Sequence, residues 1–157
     1  MPFVDIVRGA FTATIVRMKK IISTSDAPAA LGPYSQAVRV GSTIYCAGQV
    51  PLDPKSGQIV AGGIDVQTKR VMDNITAVLK AEGLTCDNVV KTTIFLADLG
   101  DFQTMNDIYG SYFKQAPPAR STVQVAALPK GARVEIEAIA VAGNGSSSAE
   151  VAADTSG

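Results

Sequence analysis

From Ile64 onward the chain places apolar side chains at three- and four-residue steps. Val71, Met72, Ile75, Val78 and Leu79 share one side of a 3.6-residue period, with Lys and Asp between them. That pattern predicts an amphipathic helix. Gly83 stops it, because glycine accepts the conformation a helix C′ position requires. Elsewhere the runs are short and strand-like. Ile21 and Ile22 suggest a first strand. Gln36 to Val40 and Thr43 to Val50 read as a hairpin around Gly41-Ser42, a two-residue loop that favours a type II′ turn. Pro51 to Gly63 reads as loop, with Asp53-Pro54 and Ser56-Gly57 as turn signals. Val89 to Ala97 is β-branched and apolar, hence a strand. Asp101 then reads as the N-cap of a second helix. Its face carries Phe102, Met105, Tyr109, Tyr112 and Phe113, an aromatic stripe expected to be core, and Pro117-Pro118 ends it. Ser121 to Ala126 and Arg133 to Ala142 are the last strands, joined around Leu128-Pro129-Lys130-Gly131.

This order predicts an α+β layer: a mostly antiparallel sheet with two helices on one face. The other sheet face then needs a cover, and association of subunits would supply one. Strand alternation puts Glu135 and Glu137 on the same face as Ile139 and Val141. Two carboxylates leading an otherwise apolar face call for water or a cation there.

Composition narrows the function classes. The 157 residues allow one domain, and 14 basic side chains balance 14 acidic ones. A zero balance gives no electrostatic footprint for nucleic acid or an anionic membrane. Histidine is absent, which excludes a Ser-His-Asp triad, a Cys-His dyad and any His-bearing metal site within one chain. Two cysteines are too few for a disulfide framework or a four-cysteine zinc site. Cys46 is expected in the core and Cys86 as an exposed thiol in a polar turn. No run approaches the roughly 18 apolar residues that span a bilayer. The domain is expected over residues 20–143. Residues 144–157 form a tail of small residues expected to be disordered. Residues 1–19 form an extension, basic and acid-poor, that loosely matches a mitochondrial transit peptide. The expected location is cytoplasmic, with the mitochondrial matrix as the alternative through that extension, and Met18 is an alternative start.

Candidate chemistry concentrates near the C-terminus. Pro118-Ala119-Arg120-Ser121 and the strand Arg133-Val134-Glu135-Ile136-Glu137 put a guanidinium and a carboxylate on strands close in sequence, so that they could share one pocket. A fixed guanidinium holds a carboxylate through two parallel hydrogen bonds. A nearby glutamate can take a proton from water or hand one on. The bland alternatives are a surface arginine or an Arg120–Glu137 ion pair, and a rim salt bridge for Glu135. Gly32-Pro33-Tyr34 is either turn punctuation or a phenol presented at a pocket rim. Gly48, in Cys46-Ala47-Gly48-Gln49, marks either close ligand approach or a β-bulge. Ser121 and Thr122 could offer backbone N–H groups to an anion, but neither hydroxyl has an activating base. No glycine pattern makes a phosphate-binding loop.

These residues recur together in one family. Ala27-Pro28-Ala29-Ala30-Leu31-Gly32-Pro33-Tyr34-Ser35-Gln36-Ala37, Gly48-Gln49, Val90-Lys91-Thr92-Thr93, Asp101-Phe102 with Asn106, and Pro118 to Ser121 through Leu128-Pro129-Lys130-Gly131 to Ala140 closely resemble the RidA (reactive intermediate deaminase A, YjgF or L-PSP endoribonuclease-like) family. The resemblance implies a chorismate-mutase-like fold, a homotrimer with active sites between subunits, and hydrolysis of enamine/imine intermediates such as 2-aminoacrylate to 2-keto acids and ammonia. It implies no metal and no cofactor. On its pattern Arg120 would hold the substrate carboxylate, Glu135 would position or activate water, and Tyr34 would line the site. Gly48 and Thr122 would contribute backbone groups, and Asn106 would support the cleft. Many members have cysteine at Thr122, which argues against a catalytic thiol here. Ala47 stands where bacterial relatives often have serine. Two rival readings remain at this point: a single-stranded RNA endoribonuclease or translation inhibitor, and a non-catalytic module that binds small carboxylates.

Overall fold

The computed structural model of the chain describes residues 18–143. Six strands form one sheet: β1 Lys19–Ile22, β2 Ala37–Val40, β3 Thr43–Gln49, β4 Val89–Leu96, β5 Ala119–Gln124 and β6 Val134–Val141. Their spatial order is β1-β2-β3-β6-β4-β5, antiparallel throughout except for the parallel β4–β5 pair. Helix α1 (Ile64–Lys80) connects β3 to β4, and helix α2 (Phe102–Gly110) connects β4 to β5. Both crossovers join strands of like direction and move the same way across the sheet. The right-handed preference of such crossovers therefore puts both helices on one face.

The core lies between the helices and that face. Ile44, Ile94, Leu96, Val134, Ile136 and Ala140 point into it from the strands, against Val71, Met72, Ile75, Val78 and Leu79 of α1. The hairpin at Gly41-Ser42 is as expected: Val40 pairs with Thr43, and Gly41 takes φ 60°. Gly83 takes φ 70°, while Leu84 N–H closes the helix end on Leu79 O at 3.1 Å.

Three local expectations need correction. Asp101 makes no side-chain cap. Asp98 caps a 3-10 turn ahead of α2 by accepting from Gly100 N–H at 2.8 Å, and the Asp101 carboxylate instead takes a fork from Arg133 Nη2 at 2.7 and 2.8 Å. Cys86 is buried, because Thr85 caps a 3-10 turn that tucks the thiol under α1, 3.5 Å from Thr76 Oγ1. Helix α2 ends at Gly110, so Tyr112 and Phe113 belong to the turn that follows, packed on the core. The expectations for residues 1–17 and 144–157 lie outside the described residues.

The opposite sheet face is left open. A row across it runs Ile21, Val38, Tyr45 and Ile139 in register. Ile21 and Tyr45 are each 51 % exposed, which is apolar surface that association could bury.

At the end of α1 near β1 and β2, the buried Glu82 carboxylate accepts from Lys20 Nζ at 2.8 Å and Arg39 Nη1 at 3.0 Å. Burial alone would raise its pKa. The two cationic donors overcome that and hold it below the ordinary carboxylate value. A lowered folded pKa contributes stability above the unfolded pKa that is lost as pH falls through the folded one. Glu82→Gln should lower the unfolding free energy at neutral pH by about 1–2 kcal/mol, mostly through Arg39, since the exposed Lys20 is screened. The deficit should shrink as the wild-type carboxylate protonates in acid. Thermal melts of both proteins from neutral pH downward check this; a pH-independent deficit would count against it.

Candidate functional site

Side-chain parity decides where each candidate residue goes. In the parallel ladder Thr92 lies beside Arg120 and Ile94 beside Thr122. Thr92 and Ile94 are buried under the helices, so Arg120 and Thr122 also leave the sheet on the helix side. In the antiparallel ladder Phe95 lies opposite Glu135 and Thr93 opposite Glu137, and these point to the open face. Within one chain, Arg120 and Glu135 therefore do not share a pocket. Strand β4 stands between their strands, and their side chains leave opposite faces. The same parity rules out an Arg120–Glu137 pair within the chain.

On the helix side, Asn106, Tyr109, Phe113, Pro118 and Arg120 line a cavity of about 460 Å³. Arg120 Nη1 donates to Asn106 Oδ1 at 2.7 Å. Its Cζ lies 5.1 Å from the Tyr109 ring centroid and 5.5 Å from that of Phe102. No carboxylate pairs with it among the described residues, whereas Arg39 has Glu82 and Arg133 has Asp101. A half-buried cation is thus held by a neutral amide and two rings, with most of its donors uncommitted. Thr122 has a buried hydroxyl without a partner among the described residues.

On the open face, Tyr34, Ala47, Gly48, Lys130 and Glu135 line a cavity of about 560 Å³. The register of β3 against β6 slips between Cys46 and Gln49, so Gly48 sits in a β-bulge. A Cβ added at Gly48 would overlap Glu135 Oε1 and come within 3.0 Å of Glu135 Cδ. The glycine is thus both bulge and close-approach site, and the group that approaches is the chain's own carboxylate. Burial, and then the negative charge of Glu137, push the Glu135 pKa above the ordinary glutamate value.

Tyr34 is 55 % exposed on a loop closed by its own hydroxyl, which accepts from Leu31 N–H at 3.3 Å. Gln36 anchors that loop. Its Oε1 accepts from Thr24 N–H at 2.7 Å, and its Nε2 donates to Pro28 O at 2.7 Å. Lys130, in the left-handed region at φ 56°, donates to Gly57 O at 3.0 Å and ties the loop after β3 to the cavity rim. Sequence reasoning missed both anchors. A buried polar side chain such as Gln36 gives no signal until its partners are placed. Lys130 is legible only as part of the connection between the last two strands.

The Endoribonuclease L-PSP family profile matches residues 24–142. A mouse protein named 2-iminobutanoate/2-iminopropanoate deaminase is 59 % identical over 126 residues, covering 80 % of this chain and 93 % of that one. The human protein of the same name is 55 % identical over 126 residues, covering 80 % of this chain and 92 % of its own. The solved structure of RidA from an Antarctic Psychrobacter superimposes with TM-score 0.76 at 44 % identity, covering 78 % of this chain and 99 % of that one. Escherichia coli TdcF with bound serine gives TM-score 0.76 at 43 % identity, covering 79 % of this chain and 99 % of that one. Fold and cavities define an α+β protein with a guanidinium unpaired by any carboxylate of the described residues on one sheet face and a partly buried carboxylate on the other. The chain belongs to the RidA family, that of the endoribonuclease L-PSP profile.

The raised Glu135 pKa carries a stability consequence. A carboxyl whose folded pKa exceeds its unfolded one favours folding below the unfolded pKa, and that benefit is lost as pH rises through the folded value. Above its unfolded pKa, Glu135 therefore contributes less to stability than a neutral side chain in its place. Glu135→Gln should raise the melting temperature at pH 7 by a few degrees, with the gain fading toward pH 4. Calorimetric melts across that range test it, and a gain that grows in acid would contradict it.

Proposed function

We propose that this chain is an enamine/imine deaminase that hydrolyses 2-imino acids such as 2-iminobutanoate and 2-iminopropanoate to 2-keto acids and ammonia. The observation that carries the reading is Arg120. It is a partly buried guanidinium whose hydrogen-bond partner is neutral and which no carboxylate of the described residues neutralises. Such a group is set up for an anion from outside, and an organic carboxylate fits its fork. Relatives at 55–59 % identity named for this reaction support the reading.

The chemistry follows from the two half-sites. The substrate carboxylate sits on Arg120, which fixes the C=N carbon relative to the carboxylate. A protonated imine is already electrophilic, so the protein need only place a water and manage its protons. Glu135, with its raised pKa, accepts a proton as the water oxygen bonds to the imine carbon. The resulting carbinolamine takes that proton from Glu135 on nitrogen and expels ammonia, while Glu135, ionised again, accepts the hydroxyl proton as the hydroxyl oxygen becomes the keto oxygen. An enamine enters the same route after protonation at its terminal carbon. Its raised pKa makes the Glu135 carboxylate a stronger base than an ordinary glutamate, which favours the first transfer, and its acid form returns the proton in the second. Thr122 offers no thiol, and the mechanism asks for none.

Arg120 and Glu135 leave opposite faces of the sheet, so for both to act on one substrate they would come from two copies of the chain. We place the site between subunits of a homotrimer, with Arg120 from one subunit facing Tyr34, Gly48 and Glu135 of its neighbour. The open apolar sheet face and the position of β5 at the sheet edge support this arrangement.

Generating a 2-imino acid in situ and following keto-acid release tests the reaction. Wild type should accelerate it. Glu135→Ala should lose about 10²- to 10⁴-fold in kcat. Arg120→Ala should lose at least about 10²-fold in kcat/KM, since each charge-assisted hydrogen bond contributes about 1.5–3 kcal/mol. No acceleration by wild type, with RNA cleavage that depends on Arg120, would replace the reading with an endoribonuclease. Mixing the two inactive variants and letting subunits exchange tests the assembly. About a quarter of sites in random trimers then pair an intact Arg120 with an intact Glu135, so about that share of activity should return. No recovery after verified exchange would place both residues' work within one subunit and refute the shared site.

A further inference from the structure

Phe102, Asn106 and Tyr109 follow one another at steps of four and three residues, which places them on one face of α2. All three meet the same guanidinium: Asn106 by a 2.7 Å hydrogen bond, Tyr109 at 5.1 Å and Phe102 at 5.5 Å from ring centroid to Cζ. The two rings are two helical turns apart, about 10 Å along the axis. That spacing leaves room for a guanidinium between them. Tyr109 is itself tethered. Its hydroxyl lies 2.7 Å from Thr92 Oγ1, both groups are buried, and its ring packs against Phe113 at 4.7 Å with the planes tilted by 46°. Thr92 is the residue that pairs with Arg120 across the parallel ladder. The tether therefore begins and ends on neighbouring strands and passes through the helix.

We propose that Phe102 and Tyr109 form an aromatic clamp that sets the plane of Arg120 for the substrate carboxylate, with the Thr92–Tyr109 hydrogen bond fixing the second ring. This rests on the reading of Arg120 as the carboxylate anchor. The rings supply a neutral, apolar seat. They attract the cation through their quadrupoles without cancelling its charge, as an aspartate in their place would. They cover guanidinium surface that water would otherwise solvate and leave its N–H edges for the ligand. Asn106 takes one donor and stops rotation about the guanidinium axis. Phe102 and Tyr109 are positioning residues: they act on substrate only through Arg120. The clamp lowers the conformational cost of a bidentate contact, which should appear in binding rather than in the hydrolytic step.

The test uses the full-length chain, 2-oxobutanoate as the carboxylate probe in titration calorimetry, and kcat and KM for an imino acid generated in situ. Phe102→Leu and Tyr109→Leu should each weaken 2-oxobutanoate binding about tenfold and raise KM by a similar factor, with kcat within about twofold. Tyr109→Phe, which keeps the ring, should stay within about threefold of wild type in affinity. In an Arg120→Ala background, Tyr109→Leu should cost nothing further in kcat/KM. Unchanged affinity in both leucine variants overturns the clamp. So does an equal loss with and without Arg120, the mark of general packing damage. Phe102 is only partly buried against the core, so Phe102→Leu keeps the test open if Tyr109→Leu misfolds. A wild type that binds 2-oxobutanoate through Arg120 but hydrolyses no imine sinks the deaminase reading alone, and the affinities still decide the clamp. A wild type that binds no carboxylate overturns both.

Discussion

The parallel pairing of Thr92 with Arg120 constrains everything that follows in this molecule. Side chains alternate strictly across a pleated sheet, so a residue's face is fixed by its ladder partner. Because Thr92 is buried beneath α2, Arg120 must rise on the same side, into the reach of Phe102, Asn106 and Tyr109. Glu135, opposite Phe95, must leave by the other face. A slip of one residue in β5 would send Arg120 to the open face and leave α2 facing Ala119 or Ser121 instead. The register of a short edge strand thus sends the guanidinium and the carboxylate to opposite faces of one subunit.

Two glutamates show how the same side chain is put to different use. Glu82 is taken out of water and given two cations, and it titrates low. Glu135 is partly taken out of water and given a second carboxylate for company, and it titrates high. The first arrangement ties β1 and β2 to the end of α1 and serves stability. The second disfavours the ionised state and makes the carboxylate a stronger base than an ordinary glutamate. Arg120 completes the contrast, since Arg39 and Arg133 are neutralised by carboxylates and Arg120 by none among the described residues.

Much of the fold could be read from residue patterns. The α1 stripe, the Gly41-Ser42 hairpin and the Gly83 stop each rest on local chemistry, and each is present. The alternation in β6 placed Glu135, Glu137, Ile139 and Val141 on one face, and they share it. What local pattern could not supply was strand order. Nothing in the sequence between Leu96 and Val134 says that β6 inserts between β3 and β4, or that β5 pairs parallel to β4. Arg120 and Glu135 therefore read as neighbours because they are near in sequence, while β4 lies between them. Asp101 and Cys86 failed for a related reason. A cap or a turn was inferred from the chain alone, but Arg133 claims the first and the underside of α1 covers the second.

The aromatic stripe of α2 shows why a core reading and a functional reading need not compete. Tyr109 is 4 % exposed and packs against Phe113, as a core residue does. The same ring also faces Arg120. A cation can lie against an apolar layer only where ring faces offer it negative potential and an edge stays open to a ligand. Leucine at Phe102 and Tyr109 would satisfy the packing and leave the guanidinium without that attraction. Gly48 follows the same logic from the other side of the sheet, where the bulge that re-aims β3 also clears the space the Glu135 carboxylate occupies. In both places one structural device meets the demands of the fold and of the charge it holds. Residue type alone could therefore not separate the two roles, and the ladder partners were needed to assign them.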